Sequence, residues 1–105
     1  MSKYCMIETA FDNKEEAERV IKELLKNKLV ASCQMVECNS KWNWKKELEE
    51  SKEYLVFMKT KTSLQEEVYN TIKSIHSYDC FEFATFGLDS CNTDYLNWIE
   101  EETKQ

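Results

Sequence analysis

Three observations predict an α+β fold for this 105-residue chain. Apolar residues recur at helical spacing in three separate stretches, and short β-favouring runs stand before the first stretch and after the second. Between those two stretches, residues 31–61 read as a pair of long strands folded back on each other. The resulting order, βαββαβ followed by a last helix, is the ferredoxin-like arrangement: two split βαβ units form one antiparallel sheet with both main helices on one face. Residues 1–105 are expected to form a single domain, because two cores of ordinary size do not fit this length. No Pro- or Gly-rich linker marks a boundary, and the only biased segment is the acidic run near the C-terminus.

The first strand is predicted over residues 4–7, a continuous apolar run placed just before a helix start, which favours a central, buried strand. Asp12 or Asn13 is positioned to cap the helix that follows, with Glu15 and Glu16 able to complete a capping box. Ala17, Val20, Ile21, Leu24 and Leu25 then form one apolar helix face. In the long hairpin, a two-residue turn between Trp44 and Glu47 would put Met35 opposite Val56 and Cys33 opposite Met58. Thr62 or Ser63 is predicted to cap the second helix, whose apolar face is Leu64, Val68, Ile72 and Ile75. The fourth strand is expected over residues 81–86, ended by Gly87, the only glycine. The last helix runs from Asn92 or Thr93 to Thr103 with Tyr95, Leu96 and Ile99 inward. The hairpin is longer than the other strands require, so its tip, with Trp42, Trp44 and Lys46, is expected to overhang the sheet and meet another subunit.

Composition excludes several functions. Twenty Asp and Glu stand against fourteen Lys and Arg, a balance that repels phosphate and argues against nucleic acid as partner. Arg19 is the only arginine, which leaves little for bidentate recognition of phosphate. No apolar stretch has signal-peptide length or the roughly 20 residues that span a bilayer, so a cytoplasmic protein without a membrane partner is expected. Five cysteines (Cys5, Cys33, Cys38, Cys80, Cys91) with no CxxC pair fit reduced thiols. Cys33 and Cys38 are an odd number of positions apart, so one regular strand points them to opposite faces and they cannot share a zinc, unless a β-bulge lies between them.

Ser40, Trp42, Trp44, then Glu53, then Lys59-Thr60, then His76-x-Tyr78-Asp79-x-x-Glu82, and finally Asp94-Tyr95-Leu96-x-Trp98 make a pattern that covers nearly the whole chain. It resembles the CutA family of divalent-cation tolerance proteins. The resemblance implies a ferredoxin-like homotrimer assembled through the long hairpins, binding of copper (Cu2+) or another divalent metal, and a cleft between subunits. It places Cys33, Trp44, Lys59, Tyr78 and Glu82 at that cleft, and Glu8 and His76 at the metal. The chain departs from the family at Ser77 and Phe81, where prolines are usual. It departs again at Lys46, where a glycine usually makes the hairpin turn; its loss predicts a different turn type.

His76 is the strongest single candidate for chemistry, because neutral imidazole is the commonest ligand for copper or zinc, and Asp79, Cys80 and Glu82 follow closely. A lone histidine at a helix end also reads as a cap. Lys59 and Glu82, taken to lie on adjacent strands, form either a proton-transfer pair or an ordinary cross-strand ion pair. Cys33, Met35 and Met58 read as core residues before ligands.

Three functions follow. The first is a non-enzymatic metal-binding homotrimer with no organic cofactor. The second is a PII-like sensor or signalling scaffold that holds an unidentified small ligand in the cleft. The third, an enzyme or an RNA binder on the same fold, lacks an RNP signature and a phosphate-cradling arginine.

Overall fold

Period-two alternation in the long hairpin sets the layering of the molecule. A computed structural model describes residues 2–105. It contains β1 (Tyr4–Phe11), α1 (Lys14–Lys26), β2 (Ser32–Trp44), β3 (Glu47–Lys61), α2 (Gln65–Ile75), β4 (Phe83–Gly87) and α3 (Thr93–Glu102). The sheet is antiparallel in the order β2-β3-β1-β4, so the ferredoxin-like topology holds and β1 is central, as expected. The hairpin register is the one that the alternation predicts, with Cys33↔Met58, Met35↔Val56 and Trp44↔Glu47. It passes through Cys38↔Glu53 without a bulge, so Cys33 and Cys38 face opposite sides.

One sheet face carries Cys5, Ile7, Phe11, Val56 and Met58 onto α1 and α2, where they pack with Val20, Leu24, Val68 and Ile72. Asn13 caps α1, its side chain accepting from the Glu16 amide at 2.9 Å. Leu25, expected on the inner face of α1, is instead exposed. The helix closes with the Lys28 amide donating to the Leu25 carbonyl and the Leu29 amide to that of Leu24. This is a Schellman ending, with Lys28 at φ 55° where glycine is usual. Leu29 and Leu24 are both buried at this junction.

Local expectations fail at four places, each where tertiary contacts decide. β1 extends to Phe11, well beyond residue 7, because β3 pairs along its whole length and β4 along its middle. Thr62 does not cap α2; its hydroxyl donates to the Ser2 carbonyl at 2.6 Å, and a 3-10 turn (Thr62–Leu64) leads into the helix. β4 starts at Phe83, because the Phe81 ring is drawn against Tyr69 and His76. The hairpin turn keeps the glycine-type geometry without a glycine: Lys45 and Lys46 have φ 50° and 70°, the signs of a type I′ turn.

β1 pairs with β3 only between Tyr54 and Lys61, so residues 38–44 and 47–53 pair only with each other and project past the sheet. α3 is fastened near the opposite end. The Tyr4 hydroxyl donates to Glu100 Oε1 at 2.7 Å, and the buried Lys61 ammonium lies 3.3 Å from Glu100 Oε2. These bonds, with Lys3, hold the Glu100 carboxyl down at about 2. Among the described residues no helix is long and apolar enough to cross a membrane.

Two substitutions are expected to stabilise the fold. Lys46→Gly relieves left-handed strain at the turn and should raise stability by about 1 kcal/mol, read as a higher urea midpoint. Thr9 Oγ1 is fully buried and, among the described residues, is the one such side-chain atom without a partner. Thr9→Val should therefore also gain about 1 kcal/mol. A lower midpoint in either variant contradicts the corresponding account.

Candidate functional site

Beneath the projecting hairpin lies an open cavity of about 580 Å³, bordered on its other side by Tyr78, Asp79, Cys80 and Glu82. Trp42 and Trp44 reach it from β2, Glu49 and Glu53 from β3, and Tyr78 and Glu82 from the segment between α2 and β4. Trp42 and Glu49 are paired residues, so alternation puts them on the sheet face away from α1 and α2, as it does Cys38 and Glu53.

His76 positions the second wall. Its ring is buried, stacked between Phe11 at 4.3 Å and Phe81 at 4.8 Å. Nε2 lies 2.6 Å from the Ala10 carbonyl oxygen, and Nδ1 accepts from the Tyr78 amide at 3.1 Å. One neutral tautomer, protonated on Nε2, satisfies both bonds. The Glu16 carboxylate secures the same segment, accepting from the Ser77 amide and hydroxyl at 3.2 Å each. The ring expected to bind metal therefore has both nitrogens engaged in hydrogen bonds inside the chain.

Tyr78 spans from this strut to the hairpin. Its hydroxyl donates to Glu53 Oε2 at 2.7 Å. Burial first, and then that bond, push the phenol well above its usual range, so it stays a donor. Glu53 is itself nearly buried, and the phenol supplies a partner that its carboxylate needs.

Glu82 and Glu8 form a carboxyl pair. The hydrogen bond with Glu8 is the largest influence on Glu82, followed by partial burial and the charges of Glu8 and Glu53; together they raise its carboxyl to about 7. Glu82 is exposed, so its interaction with the neighbouring Glu8 carboxyl, more than desolvation, explains the shift.

The remaining expected residues separate. Trp44, Tyr78, Asp79, Cys80 and Glu82 line the cavity, with Asp79 and Cys80 exposed. Cys33 instead faces the helices opposite Met58, and burial pushes its thiol up to about 12 despite Lys59. Lys59 donates to Gln34 at 3.4 Å. The expected adjacency of Lys59 and Glu82 is corrected by the sheet order, in which β1 lies between β3 and β4. Sequence reasoning did not single out Trp42, Glu49 and Glu53 as cavity residues, although alternation back from the turn carries that information.

Comparison with known proteins gives a consistent result. A family model described as CutA1 divalent ion tolerance protein matches residues 5–102. The divalent-cation tolerance protein CutA of Pyrococcus horikoshii is 38% identical over 100 residues, covering 95% of this chain and 98% of that protein. The structure named as the periplasmic divalent cation tolerance protein CutA of Archaeoglobus fulgidus superposes with a TM-score of 0.93 at 28% identity, covering 96% of this chain and 99% of that one. CutA1 from Oryza sativa superposes at 0.94 and 25% identity, covering 99% and 96%.

Two outcomes are expected of this site. Tyr78→Phe leaves the Glu53 carboxylate short of a buried donor and should cost about 1–3 kcal/mol in urea unfolding. Glu82 has a folded value of about 7 against an ordinary 4.5, so its proton favours the fold. That contribution is fully present below the ordinary value and is lost as pH rises through 7. The urea midpoint should therefore fall over this window in the wild type and fall less in Glu82→Gln; identical slopes would exclude the raised Glu82 carboxyl.

Proposed function

The chain belongs to the CutA1 divalent ion tolerance family, and its role lies in divalent-cation tolerance; from that premise we propose that it binds divalent cations directly, as a non-enzymatic homotrimer in the cytoplasm. The observation that carries the metal reading is the placement of Glu82 beside Glu8, brought about by the pairing of β4 with β1 as Glu8↔Ala84 and Thr9↔Phe83. Two carboxylates set side by side offer a divalent cation a pair of hard oxygen ligands, and the raised proton affinity of Glu82 makes a proton and the cation competitors there. Among the described residues no three His, Cys, Asp or Glu side chains gather tightly enough to enclose a metal. The proposal therefore assigns the remaining ligands to water or to a neighbouring copy, with Asp79 and Cys80 exposed nearby. Copper is one candidate ion.

Assembly is supported by the uncovered sheet face. Val36 and Phe86 are about half exposed there, and Leu48 near the hairpin tip is 72% exposed, an apolar surface suited to another copy of the chain. Five free cysteines fit a reducing compartment.

Native mass spectra of the metal-stripped protein, recorded through copper and manganese titrations, test both parts. Trimers taking up metal in saturating steps are expected. Uptake should tighten as pH rises through 7 and weaken strongly in the Glu8→Gln/Glu82→Gln double variant, but not in His76→Ala. Loss of uptake in His76→Ala with the trimer intact would return the site to the imidazole. A monomer would remove the assembly reading.

A further inference from the structure

We propose that Lys3, Tyr4 and Lys61 form a binding site for a carboxylate group, filled from within the chain by Glu100, so that α3 is a latch which a free carboxylate ligand displaces. The three donors stand at the end of the sheet remote from the projecting hairpin. Lys61 pairs with Tyr4 across β3 and β1, and alternation turns both to the face away from α1 and α2. Here Glu100 of α3 reaches them and Lys61 is buried, so this end of the face is covered by the chain itself. No residue of the site lines the cavity or belongs to the Glu8–Glu82 pair.

Both oxygens of the Glu100 carboxylate are engaged. Oε1 accepts from the Tyr4 hydroxyl at 2.7 Å and lies 3.3 Å from Lys3 Nζ, and Oε2 lies 3.3 Å from Lys61 Nζ. One hydroxyl and two ammonium groups around a single planar group make a carboxylate receptor in which every bond is assisted by charge. Its backbone is held without α3: the Thr62 amide donates to the Lys3 carbonyl at 2.8 Å, and the Leu88 amide to the Tyr4 carbonyl at 2.9 Å. Lys61 is the member that needs an occupant. Its ammonium is buried, Glu100 is its one acidic partner among the described residues, and a buried charge left alone is strongly unfavourable.

Little else fastens the helix that supplies this occupant. Ile99 is the one buried apolar side chain of α3, and Asn92 makes no side-chain cap bond. Beyond its end, the Lys104 amide donates to the Lys28 carbonyl at 2.9 Å, and the exposed Lys104 ammonium meets Glu67 at 2.7 Å. An element with so little buried apolar surface opens well below the free energy of global unfolding. A ligand with a free carboxylate competes with Glu100 for the same donors, and α3 opens in proportion to what that ligand gains from them.

Thermal unfolding in acetate and in chloride of equal ionic strength tests the site. Acetate should raise the midpoint of Glu100→Ala saturably and by more than that of the wild type, and the excess should vanish in Glu100→Ala/Lys61→Met. An equal response in all three proteins would overturn the site. Amide hydrogen exchange of the wild-type protein tests the latch without any substitution. The α3 amides should exchange at least about tenfold faster than those of α1, and faster again in acetate than in chloride. Exchange of α3 together with α1 in both salts would overturn the latch.

Discussion

The unbroken ladder between β2 and β3 is the constraint on which the rest of this structure depends. Because it runs without a bulge from Ser32 to Trp44, one parity of residues stays on the helix face and the other on the open face along the hairpin's whole length. A single-residue slip would carry Val56 and Met58 out of the core and Trp42 and Glu49 away from the cavity. Core and candidate site are thus two readings of the same register. The strained lysine turn at its end fixes that register without a glycine.

His76 joins the two halves of the site. The chemistry that makes imidazole attractive as a ligand, two nitrogens of opposite hydrogen-bonding role, here ties the end of β1 to the segment that carries Tyr78. Flanked by Phe11 and Phe81, the ring takes over part of what a proline would do in this loop, holding its path without restricting its backbone directly. Tyr78 is thereby held against Glu53, and the wall of the cavity inherits the rigidity of the core.

Much of the fold was legible because alternation and helical spacing are local signals. The apolar face of α1, the hairpin register and the central place of β1 all follow from patterns within a few residues of each other. The site was less legible. That Thr62 bonds to Ser2 and Phe81 packs against Tyr69 depends on which segments meet, and no spacing encodes it. The carboxyl pair of Glu8 and Glu82 joins residues far apart in the chain, so only the placement of β4 beside β1 reveals it. Lys59 and Glu82 failed for the same reason in reverse, since β1 stands between their strands.

The central position of β1 also governs the sequence of events at synthesis. Its neighbours are β3, whose last residue pairs with Tyr4, and β4, which ends at Gly87. β1 is therefore made before either of its partners, and its apolar residues must wait while the residues through β3 and β4 emerge. The hairpin, closed by its own two-residue turn, needs no such delay and can zip as soon as it is made. β1 is thus the strand most exposed to wrong partners until nearly all of the sheet exists.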